Sequence, residues 1–215
     1  MHIGPDQLDA LQELLNIGVG HATNTLNQML GKPIRLHIPF IHFGTVEELS
    51  KELALENEPV LASIQLPFQG SFAGSACLLF PTDSAATLVS LLTDEPDETE
   101  TLDSIKEDTL TEIGNIVLNG VMGSLANVLE QPLRFSVPYY QETSVLGLIH
   151  SPAPGSHPEV YLWAQTHFDI EKCNISGDIL LMLGAYDLKL LIDSLCAITP
   201  TQAMMSEHVS NGQTP

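Results

Sequence analysis

The chain has 215 residues, of which 44% are apolar and 16% charged, so it can bury a core and is not disordered by composition. Its formal net charge of −20 disfavours nucleic acid and anionic membrane surfaces as partners, because a negative field repels phosphate groups. The polar, acidic start lacks a signal-peptide pattern and the apolar stretches are shorter than a membrane span, so a cytoplasmic protein is expected.

The first half of the chain predicts a long helix, three strands and a second helix. The long helix carries apolar residues at helical spacing, has Asp6 as its N-cap after Pro5, and ends at Gly31. Two of the strands read as a hairpin that turns near Gln69. The predicted ranges are 7–30 for the helix, 34–44, 59–70 and 71–81 for the strands, and 82–92 for the second helix.

The second half predicts the same order of elements. The ranges are 104–130 for the helix, 133–140, 159–168 and 174–183 for the strands, and 185–197 for the last helix. Four helices and about six strands result. Because short turns join the strands, the sheet should be largely antiparallel and the fold class α+β.

A gapless internal repeat relates the two halves. Residues 8–39 and 107–138 share ten identities over 32 positions, every pair 99 positions apart, as Asp9 and Asp108 are. The remaining pairs are Leu11/Leu110, Glu13/Glu112, Asn16/Asn115, Ile17/Ile116, Leu26/Leu125, Leu30/Leu129, Pro33/Pro132, Arg35/Arg134 and Pro39/Pro138. We therefore expect a duplicated unit with a pseudo-twofold axis, one shared six-stranded sheet and the two long helices side by side.

The repeat also predicts the domain organisation. Residues 1–200 should form a single domain of two repeats, about 6–92 and 104–198, joined by the acidic linker 93–103. The tail 201–215 has no periodicity and is expected to be flexible. About four extra residues in the second half fall in the loop 151–158.

A polar stripe on each long helix is the candidate functional surface. At about 100° per residue, its four members lie within roughly 60° of one another and away from the apolar arc. The stripes are Asp9, Glu13, Asn16 and Gly20 in the first helix, and Asp108, Glu112, Asn115 and Asn119 in the second. Three of the four positions are identical between the copies while most other polar positions of these helices differ, which indicates a shared function.

Glycines are dense in both long helices, where each costs about 1 kcal/mol relative to alanine. They are Gly18, Gly20, Gly114, Gly120 and Gly123. Close packing of helix on helix or helix on sheet accounts for most of them. Gly20 lies on the stripe itself, where a missing side chain would leave room for a docked partner.

The motif Asp-x3-Glu-x2-Asn, followed by Pro39 in one half and by Pro138 in the other, resembles that of the CheC/CheX family of bacterial chemotaxis phosphatases. The match covers nearly the whole chain, and two copies resemble the two-site CheC form more than the single-site CheX form. The chain also resembles the middle domain of flagellar switch proteins, which generally lack the Glu/Asn pair. No extra C-terminal domain of the kind those proteins carry is expected.

The resemblance implies hydrolysis of the aspartyl phosphate on a phosphorylated CheY-type response regulator. Glu13, Asn16, Glu112 and Asn115 would be catalytic, and Asp9, Gly20, Asp108 and Asn119 would contact the partner. An asparagine amide can orient the attacking water, and a glutamate one turn earlier can pair with the receiver's lysine. Mg²⁺ would belong to the receiver, so this chain is expected to need no cofactor. A CheD-type deamidase is a further possible partner.

Metal and cofactor signatures are missing from the sequence. Cys77, Cys173 and Cys196 stand apart and are expected to be buried, reduced thiols. His37 and His42, five residues apart, would face opposite sides of a strand. The motifs of serine hydrolases, dinucleotide-binding folds and P-loops are absent. The alternative is a non-catalytic chemotaxis or flagellar-switch adaptor that binds receivers or CheD-type partners; a small-molecule sensor has no specific support.

Overall fold

The computed structural model describes residues 4–31, 33–52, 60–93, 104–150, 158–170 and 173–198. Within these ranges the helices are α1 (Pro5–Leu30), α2 (Val46–Glu52), α3 (Thr82–Thr93), α4 (Ser104–Val128), α5 (Val145–His150) and α6 (Ala185–Ile198). The strands are β1 (Ile34–Gly44), β2 (Leu61–Gly70), β3 (Gly74–Pro81), β4 (Leu133–Phe135), β5 (Tyr139–Thr143), β6 (Val160–Ile170) and β7 (Cys173–Leu183). Residues 94–103 of the predicted linker, 151–157 of the loop and all of the tail lie outside the described residues.

The ends of α1 follow local rules of helix capping. Gly4 is the N-cap, its N–H donates to Gln7 Oε1 at 2.9 Å, and Pro5 occupies the first turn. The prediction that Asp6 is the N-cap is wrong, because the helix begins two residues earlier and places Asp6 in the first turn. Gly31 ends the helix with φ +65°, the left-handed conformation that glycine adopts without steric cost, as predicted.

One sheet contains the strands of both halves. Its order is β1-β6-β7-β3-β2-β4, β5 also pairs with β2, and all these pairs are antiparallel. The predicted α+β class with a mostly antiparallel sheet is confirmed. In the repeat, β2 corresponds to β6, β3 to β7, and β1 to β4 and β5 together. When each strand is replaced by its counterpart and the sheet is read from the other edge, the same strand order results. Strands from the two halves meet where β3 pairs with β7.

Both edge strands are interrupted at the repeated proline. In β1 the register with β6 shifts between His37 and Phe40, around Pro39. In the second half the break at Ser136–Pro138 separates β4 from β5, so the single strand predicted over 133–140 is wrong. Proline has no N–H to donate to a strand ladder, which is the physical reason that both edges break at the same repeat position.

The irregularity in β1 also changes which side chains share a face. Leu36 and Ile38 before it and Ile41 and Phe43 after it all pack into or against the core on the helix side. Between His37 and Phe40, β1 has one residue more than the stretch of β6 opposite it, so its side chains no longer alternate strictly between the two faces of the sheet. His37 and His42 consequently lie on the same face, and the prediction that they face opposite sides is wrong because of this extra residue.

The first core lies between the sheet and the helices α1, α3, α4 and α6, and α1 packs directly against α4. The opposite face of the sheet carries a second, smaller core under α2 and α5, whose buried residues include Leu49, Leu148 and Trp163. Neither short helix was predicted, because six or seven residues span too few turns to show a periodic pattern.

Glycine makes the close approach of α1 and α4 possible. A Cβ added at Gly18 would lie 2.6 Å from Val121 Cα and 3.0 Å from Val121 O, both backbone atoms. On the α4 side, a Cβ at Gly120 would lie 2.8 Å from Ala22 Cβ. A Cβ at Gly20 would meet nothing within 4 Å. The helix glycines thus fall into two kinds, those that permit packing and those on the open surface.

We expect Gly18→Ala to lower the free energy of unfolding by about 1–3 kcal/mol, because the helices must separate to admit the methyl group. Gly20→Ala is the matched control and should raise stability by up to about 1 kcal/mol, since alanine favours the helix and has open space there. Urea denaturation of both variants measures the difference. A stability gain in both would contradict the tight helix contact.

Cys77 and Asp178 are ionisable groups that the described part of the sheet buries. Cys77 is a fully buried free thiol, and burial raises its pKa to about 12, in agreement with the predicted buried thiol. The side chains of Cys173 and Cys196 lie outside the description. Asp178 in β7 is mostly buried, and desolvation raises the pKa of its carboxyl to about 6, partly offset by a hydrogen bond from the Trp163 side chain.

The raised pKa of Asp178 predicts a pH-dependent stability. The folded value of about 6 exceeds the unfolded value of 3.8, so folding favours the protonated carboxyl. The stability that the protonated Asp178 carboxyl contributes is therefore complete below about pH 4 and is lost as the pH rises through 6. Asp178→Asn should stabilise the protein by about 2 kcal/mol at pH 7.5 and flatten the stability profile between pH 4 and 7. The free energy of unfolding is measured by urea denaturation at several pH values. If Asp178→Asn leaves its dependence on pH between 4 and 7 unchanged, the prediction is wrong.

Candidate functional site

The structure places the two polar stripes on the outward side of α1 and α4. Asp9, Glu13 and Gly20 are exposed on α1, and Asn16 is half-buried. The α4 stripe follows the same pattern for Asp108, Glu112 and Asn115, all at the repeat positions of their α1 counterparts, with Asn119 also half-buried. Each stripe therefore combines accessible carboxylates with a more enclosed amide one turn further on.

Both the oxygen and the nitrogen of the Asn16 amide bind backbone groups. Its Oδ1 accepts from the Ile38 N–H at 2.8 Å, and its Nδ2 donates to Ile38 O at 3.0 Å and to Gln12 O at 3.1 Å. Both donor hydrogens of the amide are thus used. Asn16 fastens α1 to β1 at the point where the β1–β6 register shifts.

Two further side chains of α1 hold the same strand. Asn27 forms two hydrogen bonds with the backbone of Ile34. Its Oδ1 accepts from the Ile34 N–H at 2.6 Å, and its Nδ2 donates to Ile34 O at 3.1 Å. Gln12 Nε2 donates to Pro39 O at 2.7 Å. The amides of α1 therefore satisfy backbone groups on the edge of β1 that no described strand pairs, which blocks the addition of another strand there.

Asn27 is the residue of this surface that the sequence reasoning missed. It lies eleven residues after Asn16, about three helical turns, so it falls on the same stripe. The repeat masked this signal, because the position equivalent to Asn27 is Ala126 and the position equivalent to Gln12 is Thr111. A search for residues that are identical in the two halves finds only shared features, and the contacts of Asn27 and Gln12 with β1 belong to the first half alone.

Asn115 makes different contacts from Asn16. Its Oδ1 accepts from Asn119 Nδ2 at 2.6 Å, and Asn119 Nδ2 also donates to Asn115 O at 2.8 Å. Within the described part of the chain, Asn115 Nδ2 has no hydrogen-bond acceptor. Among the described residues, the second stripe therefore presents an asparagine NH₂ group without an acceptor, whereas the NH₂ group of Asn16 has two acceptors.

The interrupted edge strand explains the difference. The backbone that would meet Asn115, at Val137, lies in the break between β4 and β5, and Val137 is 84% exposed. The neighbouring Ser136 N–H instead donates to Pro67 O at 2.9 Å, which ties this segment to β2. Within the described residues no hydrogen bond joins this segment to Asn115, so the Asn115 amide lacks the partner that Ile38 provides to Asn16.

The described residues set limits on the chemistry of this surface. No group of three or more His, Cys, Asp or Glu side chains in these ranges is arranged to hold a metal ion. No helix in them is long and apolar enough to cross a membrane. A glutamate and an amide one turn apart can bind a cationic group and orient a small polar molecule, such as a water, beside it.

Comparison with known proteins agrees with the motif. Residues 62–147 match the family model described as chemotaxis phosphatase CheX. The protein named CheY-P phosphatase CheC from Bacillus subtilis (strain 168) is 32% identical over 139 residues, which are 63% of this chain and 66% of that protein. The chain is similar to proteins of the CheX/CheC family. About a third of the Bacillus relative lies outside the matched region.

Solved structures share the fold of the chain. The crystal structure of Thermotoga maritima FliY matches with a TM-score of 0.74 and 19% identity, covering 93% of this chain and 100% of that one. The FliM middle domain from H. pylori matches with a TM-score of 0.63 and 9% identity, covering 89% and 99%. At these identities the likeness describes the fold alone.

Proposed function

We propose that this protein hydrolyses the aspartyl phosphate of a phosphorylated CheY-type response regulator. The single observation that carries the proposal is the pair formed by an exposed glutamate and an amide one turn later, present on both α1 and α4. The name of the Bacillus subtilis relative, CheY-P phosphatase CheC, supports the substrate class.

The proposed mechanism assigns one role to each residue type. Glu13 or Glu112 pairs with the lysine beside the receiver's phosphoaspartate and sets the depth at which the helix docks. Asn16 or Asn115 orients a water in line with the phosphorus. An acyl phosphate has a good leaving group and a loose transition state, so positioning and charge account for most of the catalysis. Mg²⁺ would be bound by the receiver, and the chain would supply no cofactor.

We infer that the two sites are unequal. Orienting a water requires free hydrogen-bonding capacity, and both amide donors of Asn16 are used by Gln12 O and Ile38 O. Asn115 keeps its NH₂ group available within the described part of the chain. The second site should therefore carry the larger share of turnover, and the first must release its strand contact before its amide can act.

A non-catalytic adaptor is the second candidate. The observation in its favour is that Asn16 already has a structural role, which alone accounts for its presence in the first half. The FliY and FliM likenesses add only a shared fold. As an adaptor the chain would bind a receiver or a CheD-type deamidase through the same acidic stripes without turnover.

Turnover and docking can be separated by experiment. A CheY-type receiver is phosphorylated with a small phosphodonor, and phosphate release is timed with and without the protein. Docking is measured against the same receiver loaded with beryllium fluoride, which cannot be hydrolysed. Asn115→Ala should slow release strongly while binding persists, because an amide that orients water stabilises mainly the transition state. Binding without any acceleration by the parent protein would favour the adaptor.

A further inference from the structure

Asn119 occupies the one stripe position at which the two halves differ. Its counterpart in α1 is Gly20, which has no side chain. The Asn119 side chain lies one turn after Asn115, and its Nδ2 contacts both Asn115 O at 2.8 Å and Asn115 Oδ1 at 2.6 Å.

These two contacts determine the orientation of both amides. A backbone carbonyl oxygen can only accept, so the group of Asn119 that faces it must be the NH₂. That NH₂ in turn requires an acceptor, so Asn115 must direct Oδ1 towards Asn119. The NH₂ group of Asn115 then points away from Asn119 and has no acceptor among the described residues.

We propose that Asn119 is a positioning residue for the reaction, which holds the Asn115 amide with its NH₂ group directed at the bound phosphoryl group and water. This inference rests on the proposed phosphatase function. An unrestrained amide samples orientations with the oxygen and the nitrogen exchanged, and only one of them presents donors. Gly20 has no side chain that could restrain Asn16 in this way. The backbone of Ile38 does restrain the Asn16 amide, but Ile38 O then occupies the Asn16 NH₂ group.

The test uses the full chain carrying Glu13→Ala, an exposed position, so that phosphate release reports the second site. Asn119→Ala should lower kcat about five- to tenfold, the effect of one lost hydrogen bond, with an unchanged KM for the phosphorylated receiver. Asn119→Asp should lower kcat further, because a carboxylate only accepts and draws the Asn115 NH₂ towards itself. Asn127→Ala, an exposed asparagine on the same helix, is the matched control and should change neither constant.

A double-mutant cycle separates positioning from a direct or structural role. In an Asn115→Ala background, Asn119→Ala should have no further effect on kcat, because no amide remains to be oriented. An equal loss of rate in both backgrounds, or a loss that follows a lowered thermal midpoint, would overturn the proposal. If Asn115→Ala itself leaves phosphate release unchanged, the proposed function fails; if only Asn119→Ala is silent, the function stands and the positioning role fails.

Discussion

Replacing Glu112 and Asn115 together by alanine should lower the rate of phosphate release at least about tenfold, whereas Glu13→Ala should leave most of it. Removing a positioned donor from a catalytic site typically costs about 10²-fold at that site. What remains is then the contribution of the first stripe, whose Asn16 donors are held by backbone oxygens. The measurement is the initial rate of phosphate release from a phosphorylated CheY-type receiver at equal protein concentration.

Combining these changes with Glu13→Ala/Asn16→Ala tests whether the sites act independently. Independent sites predict that the residual rates of the two double variants sum to about the parent rate, and that the quadruple variant has none. Equal losses in the two double variants would show that the contacts of Asn16 do not limit the first site. A quadruple variant that keeps its rate would remove the chemistry from these stripes altogether.

The second large effect concerns stability. Asn16→Ala should lower the free energy of unfolding by about 1–3 kcal/mol, because the Ile38 N–H loses its acceptor on α1 and Ile38 O keeps only the longer contact from Gln12 Nε2, at 3.2 Å. The gain in helix propensity from asparagine to alanine, about half a kcal/mol, offsets only part of this loss. Urea denaturation followed by circular dichroism measures the change.

Asn115→Ala is the matched control, since it is the same substitution at the same repeat position. Among the described residues its side chain bonds only to Asn119 on its own helix, so the variant's stability should stay within about 0.5 kcal/mol of the parent. Asn16→Asp extends the test, because the carboxylate can still accept from the Ile38 N–H but repels Ile38 O. Equal losses for Asn16→Ala and Asn115→Ala would mean that the strand contact contributes little to folding.

Together the two predictions separate chemistry from architecture at equivalent positions. Asn115→Ala should affect turnover with little change in stability, while Asn16→Ala should affect stability with a smaller change in turnover. Such a reversal is possible because duplication copies a residue but not the backbone that surrounds it.

The amino-acid sequence by itself determined the repeated elements and the stripes. The long helices, the extent of β1 at 34–44 and the antiparallel sheet follow from periodicity and from short connections, which depend on local backbone geometry. The αL end of α1 at Gly31 likewise follows from a local rule. Glu13, Asn16, Glu112 and Asn115 could be selected because identity at an offset of 99 is visible in one chain.

Only the tertiary structure decided what each amide binds. The partner of Asn16 is the backbone of Ile38, 22 residues away, and it is within reach because β1 stays alongside α1. The equivalent segment around Val137 is exposed and lies in the break between β4 and β5, and Asn115 accepts from Asn119 instead. A hydrogen bond requires two groups within about 3 Å, and helical periodicity places a side chain on a face without specifying which distant backbone lies opposite it.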